Sequence, residues 1–172
     1  MNRIILAYSG GLDTSVALHW LINERHMSVT TFFANLGQGD NVQEITARAL
    51  KLGASGVFIS DLREKFVNDF CMPAPKANAE FYDGSILSGA LSRPIIIYEL
   101  VKLAVNESYT NIAHGGTIGG NDQIRFEISA AALAPRLKVI APHREWRYKT
   151  RDLLFEYIHL HDIEVPSRDE SK

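Results

Sequence analysis

The sequence predicts an α/β domain built on one open, parallel, five-stranded sheet with helices on both faces. Three observations carry this reading. Short apolar runs of strand length, at 4–7, 29–34 and 57–59, alternate with helix-length stretches through short links, the pattern of a parallel sheet whose crossovers cover both faces. Two glycine-rich stretches, Ser9-Gly10-Gly11 and His114-Gly115-Gly116-Thr117-Ile118-Gly119-Gly120, each follow a strand and each open a helix. A chain of 172 residues, 46% hydrophobic and 22% charged, suits one soluble domain with a substantial core. That domain is expected over 1–166, with 167–172 a polar, frayed tail.

The elements follow in order. Ile4-Ile5-Leu6-Ala7 is long enough to cross a sheet interior as the first strand. The pattern breaks at the first glycine pair, and Asp13, Thr14 and Ser15 open a helix (Val16, Leu18, Trp20, Leu21) ending near His26. A second strand at 29–34 leads into a polar loop at 35–40. Residues 42–52 read as helix from Val42, Ile45, Ala49 and Leu52, and Gly53 sits where a helix commonly ends in a left-handed residue. Val57-Phe58-Ile59 is a third strand, after which Ser60 or Asp61 caps a helix through Phe70.

Regularity lapses over 71–93, where Pro73, Pro75, Gly84 and Gly89 interrupt and residues 78–82 form a brief helix at most. An irregular segment of that length inside a compact domain is usually functional or mobile. Pro94 suits the first turn of an amphipathic helix through Glu107. Asn111-Ile112-Ala113 is a fourth strand running into the second glycine loop, followed by a helix over 121–133. Residues 137–141 give a fifth strand, 149–161 the last helix, and 162–165 a short extension.

Bulk properties exclude several function classes. A net charge of −2 gives no overall electrostatic case for nucleic acid or an anionic membrane. Cys71 is alone, which excludes an internal disulfide, a cysteine zinc cluster and a Cys-x-x-Cys redox pair. No apolar run reaches membrane-spanning length and no signal-peptide pattern stands at the start, so a cytoplasmic location is expected. His19, His26, His143, His159 and His161 show no metal-ligand spacing, and His159 and His161 point to different faces of a helix. Trp20 reads as core, Trp146 is ambiguous, and the mixed charges over 144–152 read as a solvated surface.

The glycine loops carry the chemistry. A strand, a glycine turn and a helix start bring free backbone N–H groups and the positive end of a helix to one place, which suits a phosphate. The glycines Gly10 and Gly11 let the backbone approach an anion, and Ser9, Thr14 and Ser15 add hydroxyl donors. A Walker A loop is excluded because no Lys precedes the Ser/Thr, and a dinucleotide fingerprint because its third glycine is missing. A purely structural βα turn uses the same glycines. The two loops, however, fall at the carboxyl edge of one parallel sheet, where ligands of open α/β folds bind.

The stretch Ala7-Tyr8-Ser9-Gly10-Gly11-Leu12-Asp13-Thr14-Ser15 resembles the pyrophosphate loop of the N-type ATP pyrophosphatases, and within them the amino-terminal motif of argininosuccinate synthase. His114-Gly115-Gly116-Thr117 followed by Gly120-Asn121-Asp122-Gln123-Ile124-Arg125-Phe126-Glu127 is similar to that family's second motif. Further echoes follow in order: Leu36-Gly37-Gln38-Gly39, Arg93-Pro94 and Val139-Ile140-Ala141-Pro142-His143-Arg144-Glu145-Trp146. The likeness runs from Arg3 to about Pro166. It implies an adenine nucleotide alpha hydrolase-like, Rossmann-like fold. It also implies an ATP-dependent ligase of arginine biosynthesis that joins citrulline and aspartate to give argininosuccinate, AMP and pyrophosphate.

By that resemblance, Ser9, Gly10, Gly11, Asp13, Thr14 and Ser15 hold the phosphates, Tyr8 belongs with them to the ATP-binding set, Mg²⁺ accompanies ATP, and Asp13, Asp122 and Arg125 act in catalysis. Ala7 and Ala34 line the adenosine pocket and Gly115 contacts the nucleotide. Thr117, Asn121 and Asp122 bind aspartate, and Asn121 with Arg125 reaches citrulline. The chemistry is consistent: Arg125 offers a planar fork for a carboxylate and Asp122 an acceptor for an ammonium. On an isolated helix, Asn121 would be a plain cap and Arg125 a surface charge. His114 reads as a backbone-positioning residue at a strand end.

The sequence departs from the family at three points. The family's chain is much longer, with a second domain that completes the citrulline site and an arm for tetramer assembly; here the sequence ends at Lys172. The family's Tyr and Thr-Ser positions ahead of Arg93-Pro94 fall on Ser85, Gly89 and Ala90, which impoverishes the citrulline pocket. A Lys and an Asp usual in the family are replaced by Gly119 and Asn35. The expected partners are small molecules, together with self-association or a separate carboxy-terminal subunit covering the face a second domain would occupy. Two alternatives stay open: an adenylating enzyme of the same superfamily with another acceptor, and a non-catalytic ATP or AMP binding module.

Overall fold

The computed structural model describes residues 2–79 and 87–166. In chain order the elements are β1 (Arg3–Ala7), α1 (Leu12–Asn23), β2 (Ser28–Asn35), α2 (Val42–Lys51) and β3 (Gly56–Asp61). Then come α3 (Arg63–Phe66), a π-helical turn (Val67–Cys71), α4 (Pro73–Lys76), α5 (Ser88–Asn106) and β4 (Asn111–His114). The chain closes with α6 (Asn121–Leu133), β5 (Lys138–Ile140), α7 (Pro142–Glu145) and α8 (Arg151–Leu160).

The five strands form one sheet in the order β3-β2-β1-β4-β5, with every pairing parallel. From β1 the chain builds outward through β2 and β3, then returns to lay β4 on the other side of β1. This reversal is the topological switch point of an open α/β sheet, and it leaves a crevice between the carboxyl ends of β1 and β4.

Alternate residues of β1 feed two cores, as strand pleating requires. Ile4 and Leu6 pack with Val16, Leu18 and Leu21 of α1, Ile45 of α2 and Leu154, Tyr157 and Ile158 of α8. Ile5 packs on the opposite face with Ile97, Leu100 and Val101 of α5 and Phe126 and Ala130 of α6. Trp20 belongs to the first core, as its position in the helix pattern suggests. Gly53 has φ +95°, the left-handed conformation expected just after α2.

Several boundaries differ from expectation. α1 stops at Asn23, and His26 takes φ 52°, which turns the chain toward β2 three residues sooner than the apolar pattern implies. Ser60 lies inside β3, and the helix expected through Phe70 breaks into α3 and the π-helical turn. Asp61 still does a cap's work from the strand end, its Oδ1 accepting the Arg63 N–H at 3.2 Å. Pro94 is interior to α5, which begins at Ser88. In the turn ahead of the proline Ser92 is buried and Arg93 pairs with Asp122 of α6, so that turn carries tertiary contacts of its own.

Residues 162–165 form no regular element, whereas α4 and α7 arise where none was expected. The segment over 144–152 is not merely solvated. Trp146 within it is 3% exposed and meets Trp20 edge-on at 6.0 Å. Most of the brief helix considered at 78–82, and Gly84 and Ser85, lie outside the described residues; residues 78 and 79 are not helical.

Candidate nucleotide site

The parallel pairing of β1 with β4 sets Ala7 beside His114, so the two glycine loops leave the sheet side by side. They touch. A Cβ built on Gly115 would lie 2.7 Å from Thr14 Cγ2 and 3.4 Å from the Thr14 backbone nitrogen. Only a residue without a side chain permits that approach, which accounts for the glycine in chemical terms.

The first loop turns at Gly10, with φ +78°. Thr14 Oγ1 donates to the Gly11 carbonyl at 3.2 Å and lies 3.2 Å from Ser9 Oγ, closing the loop onto the first turn of α1. Tyr8 and Ser15 are buried beneath it, with the Tyr8 hydroxyl 3.2 Å from Ser15 Oγ, which also contacts the Gly10 carbonyl at 3.5 Å. Burial pushes the Tyr8 pKa up, so the phenol stays a neutral partner. Tyr8 and Ser15 therefore buttress the loop, whereas Ser9, Gly11, Asp13 and Thr14 lie nearer solvent.

Asp13 stands in the first turn of α1. Its Oδ1 is 3.2 Å from Nε2 of His143, a 3%-exposed residue of α7 whose ring meets Trp146 edge-on at 4.5 Å. Nε2 of His143 makes no hydrogen bond of good geometry, an unsatisfied buried polar atom at the edge of the loop. In the sequence His143 stands in a motif echo and shows no metal-ligand spacing, and neither points to this contact. The available signal was topological: it follows β5 directly, at the sheet edge that carries both loops.

In the second loop, Nδ1 of buried His114 accepts the Gly116 N–H at 3.0 Å, the backbone-positioning role expected of it. Burial above all, with the nearby charge of Arg144 and His143, lowers its pKa to about 4, so the ring is neutral near pH 7. With Nδ1 accepting, Nε2 carries the proton and faces Glu127 Oε1 at 3.5 Å. Glu127 also accepts from Gln123 Nε2 at 3.2 Å and pairs with Arg144. α7 thereby bridges the helices that follow the two loops, reaching Asp13 of α1 with His143 and Glu127 of α6 with Arg144.

At the start of α6 the residues divide. Gly120 is the cap and Asn121 the exposed first helical residue. Asp122 is held between two guanidiniums, Oδ1 to Arg125 Nη1 at 3.1 Å and Oδ2 to Arg93 Nη2 at 2.8 Å. Arg125 is thus a paired side chain, 28% exposed, and Arg93, in sequence terms no more than a motif echo, joins the cluster. Thr117 is exposed on the loop. Ala7 and Ala34 pack on the same side of the sheet, against the α5 core.

Two cavities of about 350 and 390 Å³ lie elsewhere, at the carboxyl ends of α1 and α2 and beside the entry to β4. The crevice at the loops is an open edge. No group of three or more His, Cys, Asp or Glu able to hold a metal exists among the described residues. A nucleotide-borne Mg²⁺ needs less, since phosphates and water supply most of its ligands, and the Asp13 carboxylate beside the loop fits that demand. No helix among the described residues is long and apolar enough to cross a membrane.

Residues 3–164 match the model of the arginosuccinate synthase N-terminal HUP domain. The chain belongs to the argininosuccinate synthase family. It is 47% identical over 169 residues to argininosuccinate synthase of Hahella chejuensis, covering 98% of this chain and 42% of that protein. To the enzyme of Dinoroseobacter shibae it is 46% identical over 164 residues, covering 95% and 40%. The chain therefore spans about two fifths of the length of these relatives. A protein from Methanocaldococcus jannaschii described as a predicted subunit of tRNA methyltransferase superposes with a TM-score of 0.58 at 17% identity, covering 91% of this chain and 76% of that one. That likeness concerns the fold alone, an α/β sheet with the same layered design.

Proposed function

We propose that this chain is the ATP-binding domain of an argininosuccinate synthase-type carbon–nitrogen ligase. The observation that carries the reading is the contact between Gly115 and Thr14, which makes one cradle out of two loops. The ureido carbon of citrulline is a poor electrophile until its oxygen becomes a leaving group. ATP supplies AMP to that oxygen and releases pyrophosphate; the aspartate amine then displaces AMP to give argininosuccinate.

Backbone N–H groups of Gly10 and Gly11 and the hydroxyls of Ser9 and Thr14 would stabilise charge on the departing pyrophosphate, fixed in place before the reaction. Ser15 and Tyr8 hold that loop from below. Mg²⁺, arriving with ATP and held by Asp13, would neutralise part of the phosphate charge. Ala7 and Ala34 would border the adenosine, and Gly115 would pass against the nucleotide. Thr117, Asn121 and Asp122 would receive aspartate, with Asn121 and Arg125 turned to citrulline.

A second reading has its own support. Gly89 and Ala90, at the positions that serve citrulline in the family, bring no polar side chain, and nothing among the described residues lies within 4 Å of a Cβ built on Gly89. A different acceptor, or a module that binds ATP without turnover, fits that feature. A further subunit or second copy belongs to the proposal as well: Ile124 and Ile128, one turn apart on α6, are 55% and 65% exposed. Calorimetry with ATP, followed by pyrophosphate release with and without citrulline and aspartate, tests the assignment. Release that requires both amino acids supports the ligase. Binding without release leaves the module, and no binding removes the site.

A further inference from the structure

We infer that Arg48 is a positioning residue for the first loop, its guanidinium holding the Gly10 carbonyl so that the Gly11 N–H faces the phosphates. The inference rests on the phosphate reading of that loop. Arg48 lies on α2, one turn beyond Ile45, and both side chains press on Gly10: a Cβ there would meet Ile45 Cγ1 at 3.1 Å and Arg48 Nη1 at 3.2 Å.

Arg48 Nη1 donates to the Gly10 carbonyl oxygen at 2.9 Å, a charge-assisted bond across 38 residues of sequence. The other donor on that oxygen, Ser15 Oγ, is at 3.5 Å, the far limit of a hydrogen bond. In a trans peptide the C=O and the following N–H point in opposite directions. Fixing the Gly10 oxygen against α2 therefore aims the Gly11 N–H away from α2. Among the described residues that N–H makes only a long 3.4 Å contact, to Ser9 Oγ, which leaves it available to a ligand oxygen. With φ at +78°, Gly10 has more than the usual freedom to flip this peptide, and the guanidinium selects one orientation.

A lysine at this position keeps the charge but loses the planar fork and its reach, which separates loop geometry from long-range attraction. The test uses the whole chain as parent, Arg48→Met and Arg48→Lys, with calorimetry for ATP, inorganic pyrophosphate and adenosine. The expected result is about a tenfold loss of ATP and pyrophosphate affinity in Arg48→Met, the scale of one charge-assisted hydrogen bond. Adenosine affinity is unchanged, and Arg48→Lys falls between parent and Arg48→Met.

If Arg48→Met does not fold, Arg48→Lys carries the test alone, through weakened pyrophosphate binding with adenosine binding intact. Three results overturn the inference: ATP affinity in Arg48→Met within twofold of the parent, full activity of Arg48→Lys in pyrophosphate binding, or adenosine affinity falling in step. A parent that binds neither ATP nor pyrophosphate removes the phosphate reading and this inference with it, whereas a parent that binds while Arg48→Met binds equally removes the inference only.

Discussion

Acidification should loosen the second loop through a single buried histidine. His114 is 3% exposed, and burial, reinforced by the charges of Arg144 and His143, lowers its pKa from 6.5 to about 4. Because the folded value lies below the unfolded one, protons bind the unfolded chain first. The stabilising effect of a neutral His114 is therefore complete above pH 6.5 and is lost as pH falls toward 4. The gap between those values corresponds to roughly 3 kcal/mol over the full window, of which about 2.5 kcal/mol is gone by pH 4.5.

Other groups titrate over the same range, so the parent is compared with His114→Asn, which keeps an acceptor near the Gly116 N–H and does not ionise. The variant loses ring packing against Phe126, 4.6 Å away between centroids, and starts less stable at pH 7. Urea denaturation of both proteins at pH 7 and 4.5 gives the difference of differences. The stability advantage of the parent should shrink by about 2.5 kcal/mol. An advantage that stays constant between the two pH values refutes a neutral, loop-bracing His114.

Three further outcomes follow from the site. Gly115→Ala should cost about 1–3 kcal/mol by overpacking against Thr14 and weaken ATP binding at least tenfold, whereas Gly89→Ala, with no described residue within 4 Å of its Cβ inside α5, should be neutral or raise the melting temperature. Gly10→Val places a β-branched residue at φ +78° against Ile45, so nucleotide binding should vanish, as in Asp13→Ala; unchanged ATP affinity in Gly10→Val would remove the loop from the site. Arg93→Met leaves Asp122 with one partner, so the KM for aspartate should rise in a turnover assay while the Kd for ATP holds.

What could be read from the sequence was whatever local pattern controls. All five strands and the parallel class follow from apolar runs and their spacing, and the glycine loops announce themselves because a left-handed or crowded backbone admits little else. Features set by distant contacts were not legible. α5 starts at Ser88, ahead of its proline, and its Arg93 pairs with Asp122 on another helix, a contact that no periodicity encodes. α7 is a four-residue turn, too short for a pattern, yet its His143 and Arg144 reach α1 at Asp13 and α6 at Glu127, the helices that follow the two loops. The clamp from Arg48 to Gly10 crosses from one helix to the turn before another, visible only once β1 and β2 are paired.

In the proposed function the loops after β1 and β4 grip one polyphosphate together. Titrating inorganic pyrophosphate into the isotopically labelled chain and following backbone amide resonances tests this directly. The amides of Gly10 and Gly11 and those of Gly115 and Gly116 should shift together along curves giving the same Kd. Shifts confined to one loop, or two loops responding with different Kd values, would contradict it.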